Sequence, residues 1–423
     1  MLCEKIRRAS CSELILFLSG GTLHRQENSP FLKIKTMKID IAKRALHAHK
    51  ALQGKIEVVS KVKIAKPADL SVYYSPGVGA VSSYVAKFPE KSRVYTIRRN
   101  TVAVVSDGSA VLGLGNLGPI GALPVMEGKA MLFKSFANVD AFPIVLSTQN
   151  VDEIIDTVVR IAPTFGGINL EDIAAPRCFE IESRLRMLLD IPVFHDDQHG
   201  TAMVVLAGLI NALKIAKKNI ATARIVIAGA GAAGNAIAEL LLLGGAHDII
   251  MLDSRGILSK RRDDLSIPKQ ALLAKTNPRD ISGGLDEALV DADVFIGVSK
   301  GDTVTQTHIS SMAKNSIVFA LANPVPEIMP DKAKKAGAFV VATGRSDFPN
   351  QLNNVLGFPG IFRGALDHGV QDITNEMLVV AAKKLAKLIV SPRPDMIIPS
   401  PFDKRVVPAV ASAIRGGVKK VWK

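Results

Sequence analysis

The sequence has few of the residues that would indicate a nucleic-acid surface, a disulfide framework or a membrane anchor. Aromatic residues make up 5% of its 423 residues, with one Trp and four Tyr, so it lacks the stacking platform that single-stranded nucleic acid requires. Its three cysteines are too few and too scattered for a disulfide framework or a zinc site. No uninterrupted apolar run approaches the roughly 18 residues that span a bilayer. We therefore expect a cytoplasmic protein without nucleic-acid or membrane partners.

The net charge of +14 is distributed unevenly along the chain. Residues 1–66 carry 14 basic and 5 acidic side chains, and residues 383–423 carry 10 basic and 2 acidic side chains. The segment between them is therefore close to neutral. A basic surplus confined to the two ends favours a solvated or inter-subunit surface over a nucleic-acid site.

The length and the 48% hydrophobic content allow a large core divided among two or three domains. We expect residues 1–36 to be a poorly ordered extension and the folded chain to begin near Met37, with a first helix over residues 41–56. The change in pattern near residue 200 predicts domains over 37–200 and 201–390. Residues 391–423 then form a Pro-rich linker and a last helix over 406–418.

The fold class predicted for the second domain is α/β with a doubly wound parallel sheet. Apolar runs of four to six residues alternate there with helical periods, as in parallel βαβ units. The predicted strands are residues 224–228, 249–252, 294–298, 317–321 and 339–342, and the predicted helices include 202–214 and 232–243. The first domain mixes short apolar runs, such as 102–105 and 191–194, with loops and helices, and is also predicted to be α/β.

A glycine-rich motif follows the first predicted strand of that sheet and opens a helix. In Gly229-Ala230-Gly231-Ala232-Ala233-Gly234 the first glycine permits the turn, the second allows backbone to approach a pyrophosphate, and the third allows close helix packing. The motif predicts a Rossmann-type dinucleotide site. Its cofactor-binding residues are Gly229, Gly231, Ala232, Ala233 and Gly234.

Asp253 lies 19 residues beyond Gly234, at the end of the next predicted strand. A carboxylate there accepts hydrogen bonds from the ribose hydroxyls and favours NAD over NADP. The basic residues that follow, Arg255 and Lys260-Arg261-Arg262, are either a solvated loop or a site for a 2′-phosphate. NAD is therefore the expected cofactor, and NADP remains an alternative.

A second stretch, Gly113-Leu114-Gly115-Asn116-Leu117-Gly118, has the same glycine spacing, with Asp140 at 22 residues beyond it. The residues behind it, Pro119, Gly121, Pro124 and Gly128, are expected to break any long helix. We therefore assign the dinucleotide site to the first motif.

Two adjacent acidic pairs precede the dinucleotide domain. Glu171-Asp172 follows a Gly-Gly turn, and Asp196-Asp197 ends an apolar strand, so together they offer oxygen ligands for Mg²⁺ or Mn²⁺. In an extended segment, His195, Asp197 and His199 would instead share a face and suit Zn or Fe. The residues alone leave these readings open, together with a plain solvated turn.

Tyr74 stands just before a Pro/Gly turn, and Lys129 follows a glycine at the start of an apolar helix predicted over residues 130–136. Their immediate surroundings do not distinguish a catalytic role from an ordinary rim tyrosine and a solvated lysine.

Taken together, these motifs closely resemble the malic enzymes in the short form common in bacteria and archaea. The matching stretches occur in family order and span nearly all of residues 70–370. They are residues 74–79, 104–109, 113–118, 124–129, 169–172, 194–201, 323–324 and 353–354.

The resemblance implies oxidative decarboxylation of L-malate to pyruvate and CO₂ with NAD(P)⁺, in a homodimer or higher oligomer. By its motif Lys129 resembles the general base, a role that a lysine can perform if neighbouring charge or burial lowers its pKa towards the working pH, and Tyr74 resembles the acid that protonates enolpyruvate at C3. Asp196 corresponds to a supporting carboxylate. The remaining residues implied are the metal ligands Glu171, Asp172 and Asp197, and the substrate-binding amides Asn323 and Asn354, of which Asn323 also lies at the cofactor edge.

The sequence departs from the larger members at one position. They place an arginine where Ala110 follows Asp107-Gly108-Ser109, so the malate carboxylate would be held by metal, amides and backbone N–H groups around residues 115–118. Two alternative functions remain open: a malolactic or oxaloacetate-decarboxylating relative with the same site, and a catalytically silent nucleotide-binding sensor.

Overall fold

The computed structural model describes residues 30–416, with side chains from residue 41 onward. Of the extension expected over residues 1–36, the first 29 residues lie outside the described part. A helix, α1 (Pro30–Leu52), begins and ends earlier than the helix predicted over 41–56. The chain divides into two units, one up to Lys55 and one from Ile56 onward. The candidate site lies within the second unit.

Parallel strands and helices alternate through most of the second unit. Its helices are α2 (Pro67–Tyr73), α3 (Gly77–Lys87), α4 (Ser92–Tyr95), α5 (Gly118–Ala137), α6 (Val151–Ile161), α7 (Arg177–Leu188), α8 (Thr201–Ala216), α9 (Ala232–Leu243), α10 (Ile267–Leu273), α11 (Leu285–Leu289), α12 (Gln306–Ser310), α13 (Pro330–Lys335), α14 (Phe358–His368), α15 (Asn375–Lys387) and α16 (Val406–Ala411). Single 3₁₀ turns occur at Pro89–Lys91, Ile97–Arg99, Ala162–Thr164 and Asn354–Leu356.

Within residues 30–416, ten strands form two sheets. The strands are β1 (Thr101–Ser106), β2 (Asp140–Val145), β3 (Gly167–Leu170), β4 (Val193–His195), β5 (Arg224–Ala228), β6 (Asp248–Asp253), β7 (Gly256–Ile257), β8 (Val294–Gly297), β9 (Ile317–Ala320) and β10 (Val340–Thr343). The first sheet is parallel throughout, in the order β2-β1-β3-β4. Its register places Leu170 of β3 beside His195 of β4, so the acidic pairs that follow these two strands emerge at the same edge.

The second sheet has the order β10-β9-β8-β5-β6-β7 and is parallel except for the two-residue strand β7. The order reverses at β5, which is the topological switch point of a doubly wound sheet and the usual location of a ligand crevice. Buried side chains cover both faces of this sheet. The predicted α/β class with a Rossmann-type sheet after a first α/β sheet is thus confirmed.

Helix α5 contradicts the expectation that Pro119, Gly121, Pro124 and Gly128 would prevent a long helix, since it runs for 20 residues. One face of α5 packs against β1 and β2 and buries an apolar stripe at helical spacing. Burial of that stripe outweighs the unfavourable local propensities. The buried residues of this helix are Ala122, Met126, Lys129, Ala130, Phe133 and Ala137.

One stretch, Asp196–Ala216, is long and apolar enough to cross a bilayer, contrary to the expectation from uninterrupted apolar runs. About 72% of its apolar window is buried inside the protein. It includes α8, which packs against α9 and α15. A buried core helix meets the same length and composition test as a membrane span.

Candidate active site

Lys129 occupies a buried position on α5 and forms two short ion pairs. Its Nζ atom lies 2.7 Å from Oε1 of Glu171 and 2.6 Å from Oδ2 of Asp196. The Phe358 ring, 4.3 Å from Nζ to its centroid, shields the ammonium on another side. The structure therefore brings together three of the side chains that the sequence assigned to catalysis and metal binding.

These neighbours determine the electrostatics of the lysine. Burial by itself would lower the pKa of Lys129, but the facing carboxylates of Asp196 and Glu171 outweigh it and raise the pKa above the ordinary lysine value. The protein's own groups therefore do not supply the lowered pKa that a general-base lysine needs, because the site contains an excess of negative charge.

Glu171, Asp172 and Asp197 form a compact cluster of carboxylates, with one oxygen from each lying within 4.8 Å of the others. Burial raises the pKa of Glu171 and, together with the nearby Asp197 carboxylate, raises the pKa of Asp172 to about 7. Oδ2 of Asp172 is buried without a hydrogen-bond partner. Three convergent oxygen ligands, one of them unpaired, fit a hard divalent cation.

The backbone at Asp172 turns the two acidic segments towards each other. Asp172 has a left-handed φ of 53°, an uncommon conformation for a residue other than glycine that is often found at functional sites. Its N–H donates to Oδ2 of Asp197 at 2.9 Å, and its Oδ1 accepts from the N–H of Leu112 at 3.2 Å. These bonds fix the spacing of two of the three clustered carboxylates.

The alternative site of His195, Asp197 and His199 does not form in the described chain. Residues Asp196–Gly200 adopt a π-helical turn instead of an extended conformation, so the alternation needed for a shared face is absent. His195 is fully buried, and both of its ring nitrogens lack hydrogen-bond partners. His199 instead pairs with Glu182, with 2.9 Å between Nε2 and Oε2.

Two buried polar residues near the carboxylates were not assigned a role from the sequence. Asn169 donates from Nδ2 to Oε2 of Glu171 at 2.9 Å, and Glu182 accepts hydrogen bonds from the last residue of β4 and from the turn that follows it. Asn169 lies inside a matched motif, which was a usable signal. Glu182 lies in an unremarkable helical stretch, and only the fold reveals its contacts.

The glycine-rich motif adopts the conformation that its spacing predicted. Gly229 has a positive φ of 126°, and a Cβ on Gly234 would lie 1.7 Å from the carbonyl oxygen of Gly229. Helix α9 then starts at Ala232 with no side-chain cap, so its first N–H groups remain available for an anion. Around Gly231 no heavy atom lies within 4 Å of the Cβ position, which leaves space for a ligand to approach the backbone.

Asp253 ends β6 beside this turn, as predicted, but its carboxylate has protein partners. It accepts from Arg262 at 2.8 Å and 3.1 Å, from Nζ of Lys269 at 2.5 Å and from the N–H of Arg255. Burial would raise the pKa of Asp253, yet Arg262 and Lys269 lower it to about 2. The part of the basic run nearest the acid is thus an ion-paired cluster and not a solvated loop.

The amides expected to bind substrate border the same region. The carbonyl oxygen of Asn323 lies only 1.7 Å from the Cβ position of Gly113, so the loop of residues 113–118 contacts the chain after β9. The Cβ of Asn354 is 3.4 Å from the Cβ position of Gly200, at the end of the π-turn. Asn354 therefore lies beside the turn that carries Asp196 and Asp197. Asn323 lies beside the loop of residues 113–118, and Leu112, just before that loop, donates a hydrogen bond to Asp172.

Two other expectations fit less well. The N–H groups of Leu117 and Gly118 both donate to the carbonyl oxygen of Gly108, so they are not available for a substrate carboxylate. Tyr74 is 69% exposed, and in the described chain it forms no hydrogen bond with Lys129 or the clustered carboxylates. Its catalytic role stays a prediction.

A buried lysine among carboxylates, together with a glycine-rich turn at the switch point of a doubly wound sheet, defines an α/β enzyme that uses a nicotinamide dinucleotide. Two family models divide the chain accordingly: "Malic enzyme, N-terminal domain" matches residues 53–186, and "Malic enzyme, NAD binding domain" matches residues 198–414. The chain belongs to the malic enzyme family, which confirms the resemblance found in the sequence.

Similar proteins cover nearly the whole chain. A bifunctional malic/malolactic enzyme of Bacillus subtilis is 55% identical over 379 residues, which are 89% of this chain and 92% of that protein. An NAD-dependent malic enzyme of Geobacillus stearothermophilus is 51% identical over 385 residues, covering 90% of this chain and 80% of that protein. The crystal structure of an NAD-dependent malic enzyme from Thermotoga maritima has a TM-score of 0.86 at 50% identity, covering 88% and 99% of the two chains.

Proposed function

We propose that this protein catalyses the oxidative decarboxylation of L-malate to pyruvate and CO₂, with transfer of the C2 hydride to NAD(P)⁺. The observation that carries the proposal is the buried lysine, held by Glu171 and Asp196 at the edge of a three-carboxylate cluster. That arrangement places a proton acceptor next to a site for hard-cation oxygen ligands, as oxidation of a hydroxy acid requires.

Glu171, Asp172 and Asp197 would hold Mg²⁺ or Mn²⁺. When bound, the cation supplies Lewis acidity that polarises the oxygen at malate C2 and stabilises the negative charge that develops on decarboxylation. With a cation held by these three residues, the carboxylate charge that raises the pKa of Lys129 would be offset.

The protein's own groups then have separate roles. Lys129 accepts the C2 hydroxyl proton as hydride leaves C2, while Asp196 holds the lysine in place at 2.6 Å. Tyr74 gives a proton to C3 of enolpyruvate after CO₂ departs, and Lys129 then loses its proton to solvent while Tyr74 regains one from solvent, so the proton count balances over the cycle. Asn323 and Asn354 hold the substrate carboxylate beside the loops that they contact.

The dinucleotide binds over the Gly229–Gly234 turn, through Gly229, Gly231, Ala232, Ala233 and Gly234. Its adenosine ribose lies near Asp253, and we propose NAD as the preferred cofactor because this carboxylate stays ionised and would repel a 2′-phosphate. The exposed guanidinium of Arg255 and the pair of Arg262 and Lys269 on Asp253 favour NADP as the alternative.

Malolactic conversion, in which pyruvate is reduced to lactate before release, is a second candidate. It is favoured by the 55% identity to a Bacillus subtilis protein named as a bifunctional malic/malolactic enzyme. Both activities would use the same lysine and cation site.

Initial-rate kinetics test these proposals. Malate, Mn²⁺ and either NAD⁺ or NADP⁺ are supplied in parallel, with NAD(P)H followed optically and pyruvate and lactate quantified. We expect stoichiometric pyruvate and NADH, with a higher kcat/KM for NAD⁺. Lactate without net NADH would replace the first proposal by the second, and bound nucleotide without turnover would support a silent sensor.

We propose that the protein acts in the cytoplasm as a homodimer or higher homo-oligomer, with malate as its small-molecule partner and without nucleic-acid or membrane partners. Cys178 is a buried free cysteine, and burial raises the pKa of its thiol to about 12, which is compatible with a reducing compartment.

A further inference from the structure

Glu182 is a buried acid that the proposed reaction does not use. It lies on α7, a helix that packs against β4, and it is 6% exposed. Within the described residues, all of the hydrogen bonds to its side chain come from a single short segment, residues 195–199, at the end of β4. Its Oε1 accepts from the N–H of His195 at 3.1 Å, and its Oε2 accepts from Nε2 of Gln198 at 3.3 Å and pairs with Nε2 of His199 at 2.9 Å.

The segment that Glu182 holds carries two of the acidic site residues. The π-turn Asp196–Gly200 contains Asp196, which pairs with Lys129, and Asp197, a member of the carboxylate cluster. A π-helical turn is rare and is found mostly at functional positions. This one has no side-chain cap from His195 at its start, so contacts from outside the turn must fix its orientation.

We propose that Glu182 is a positioning residue that fixes the π-turn. In that position the Asp196 carboxylate faces Lys129, and the Asp197 carboxylate faces the other members of the carboxylate cluster. One anionic side chain joins the last residue of β4 to two side chains of the turn, like an outer-shell carboxylate behind a metal site. The inference rests on the proposed function, because Asp197 is one of the proposed cation ligands.

A solvent-open cleft offers a way to test the role chemically. Its volume is about 380 Å³, and Glu182 and His199 both line it, together with Phe179, Ser183, Arg186, Met187 and Asp372. A small carboxylate such as formate can therefore reach the position of a truncated Glu182 side chain.

The experiment measures Mn²⁺ binding directly, by electron paramagnetic resonance of the unbound ion, with no substrate present. Glu182→Gln keeps the size of the side chain and removes its charge. The matched control is Glu180→Gln on the same helix, whose side chain is 57% exposed and pairs with Arg184. We expect the Mn²⁺ dissociation constant to rise about 10- to 100-fold in Glu182→Gln and to stay within twofold of wild type in Glu180→Gln.

Rescue separates positioning from a purely structural role. In Glu182→Ala, formate at tens of millimolar should restore part of the Mn²⁺ affinity, with no gain in wild type or in Glu180→Gln. A folded Glu182→Gln protein that binds Mn²⁺ as wild type does would overturn the inference. If both Glu182 variants fail to fold, Gln198→Ala removes one of the three bonds, and we expect an increase of three- to tenfold; wild-type affinity in that variant would count against the inference.

These outcomes are distinguishable from failure of the proposed function. If wild type binds Mn²⁺ and Glu182→Gln binds it weakly, but neither turns over malate, the positioning role stands and the reaction assignment fails. If malate turnover is normal in every variant and Mn²⁺ affinity is unchanged, the function stands and the positioning role fails.

Discussion

Lys129 lies in a buried pocket that holds more negative than positive charge. It contacts Glu171 and Asp196 directly, and Asp172 and Asp197 lie in the same cluster. Unpaired buried charges are costly, and like charges close together are costlier still. The excess of carboxylates in this centre therefore destabilises the folded state, and a bound divalent cation would remove this cost.

Neutralising one carboxylate of the cluster should reveal how much the repulsion destabilises the folded protein. In the presence of a chelator at pH 8 we expect Asp172→Asn to melt at or above the wild-type temperature, because Oδ1 can still accept from Leu112 while one buried charge is gone. With 1 mM Mn²⁺ we expect wild type to gain several degrees through binding to the folded state, and Asp172→Asn to gain less than half as much. Thermal unfolding measures both. Asp190→Asn, on an exposed acid, is the control, and equal gains in all three proteins would contradict the prediction.

Lys129 itself should be indispensable for the oxidation step. We expect Lys129→Met to lower kcat for malate oxidation by at least about 100-fold, the usual contribution of a general base, while the protein still binds NAD⁺ with wild-type affinity. Steady-state kinetics and nucleotide titration provide the two readouts. Lys134→Met, which removes an exposed lysine on the same helix, should leave kcat unchanged. A Lys129→Met variant with more than a tenth of wild-type turnover would refute the assigned role.

The ion-paired Asp253 predicts a pH dependence of stability. Its pKa is about 2 in the folded protein, below the usual aspartate value of 3.8, so its pairing stabilises the folded state above pH 4 and is lost as the pH falls towards 2. We expect Asp253→Asn to be less stable than wild type by roughly 2 kcal/mol at pH 7, with the difference shrinking between pH 5 and 3. Urea unfolding at several pH values measures it. A difference that is constant with pH would show that pairing is not its cause.

The acidic ligand candidates could be found from the sequence because each pair follows a short apolar strand, and parallel strands end at a common edge. The partners of Lys129 and Asp253 could not be found from the sequence. Asp196 is 67 residues from Lys129 in the sequence, and Arg262 reaches Asp253 only because the loop after β7 folds back. A propensity or spacing argument contains no term for such long-range pairs, so it could not give the direction in which the pKa of Lys129 is shifted.

At the level of elements, the centres of strands were predictable and one long helix was not. Strand β5 and helix α9 have the predicted bounds, because their apolar patterns are unbroken and their ends carry clear signals. Helix α5 formed despite two prolines and two glycines because its buried face packs on β1 and β2. The π-turn after β4 has no sequence signature that separates it from an ordinary turn.

The two glycines of the dinucleotide turn should have separable effects. In Gly234→Ala the new Cβ would lie 1.7 Å from the Gly229 carbonyl oxygen, so we expect a loss of about 1–3 kcal/mol of stability from overpacking. In Gly231→Ala the Cβ meets no atom within 4 Å, so stability without cofactor should stay near wild type while KM for NAD⁺ rises at least tenfold. Urea unfolding and kinetics measure the two effects. Equal destabilisation by both substitutions would contradict the assignment of the turn.

At the scale of the whole molecule, exposed apolar side chains are concentrated in one part of the chain. Sixteen of the large hydrophobic residues exposed in the described structure fall between Ile56 and Ile97, including Val58 at 84% and Val72 at 63%. Exposed apolar side chains concentrated in this way are typical of an association surface. The same segment contains Tyr74, so the surface and the proposed proton donor are adjacent in the chain.

We expect this apolar segment to be buried between two copies of the chain. Light scattering after size exclusion should give about 90 kDa for wild type, twice the 45.1 kDa of one chain. The double variant Val72→Glu/Val94→Glu should elute as a monomer, because a charge on each of two exposed apolar positions would be buried unpaired in the dimer. Val390→Glu, at an 82% exposed position outside the segment, should remain a dimer. Wild type that is monomeric at micromolar concentration and fully active would refute the expectation, and a dimer that survives the double substitution would place the interface elsewhere.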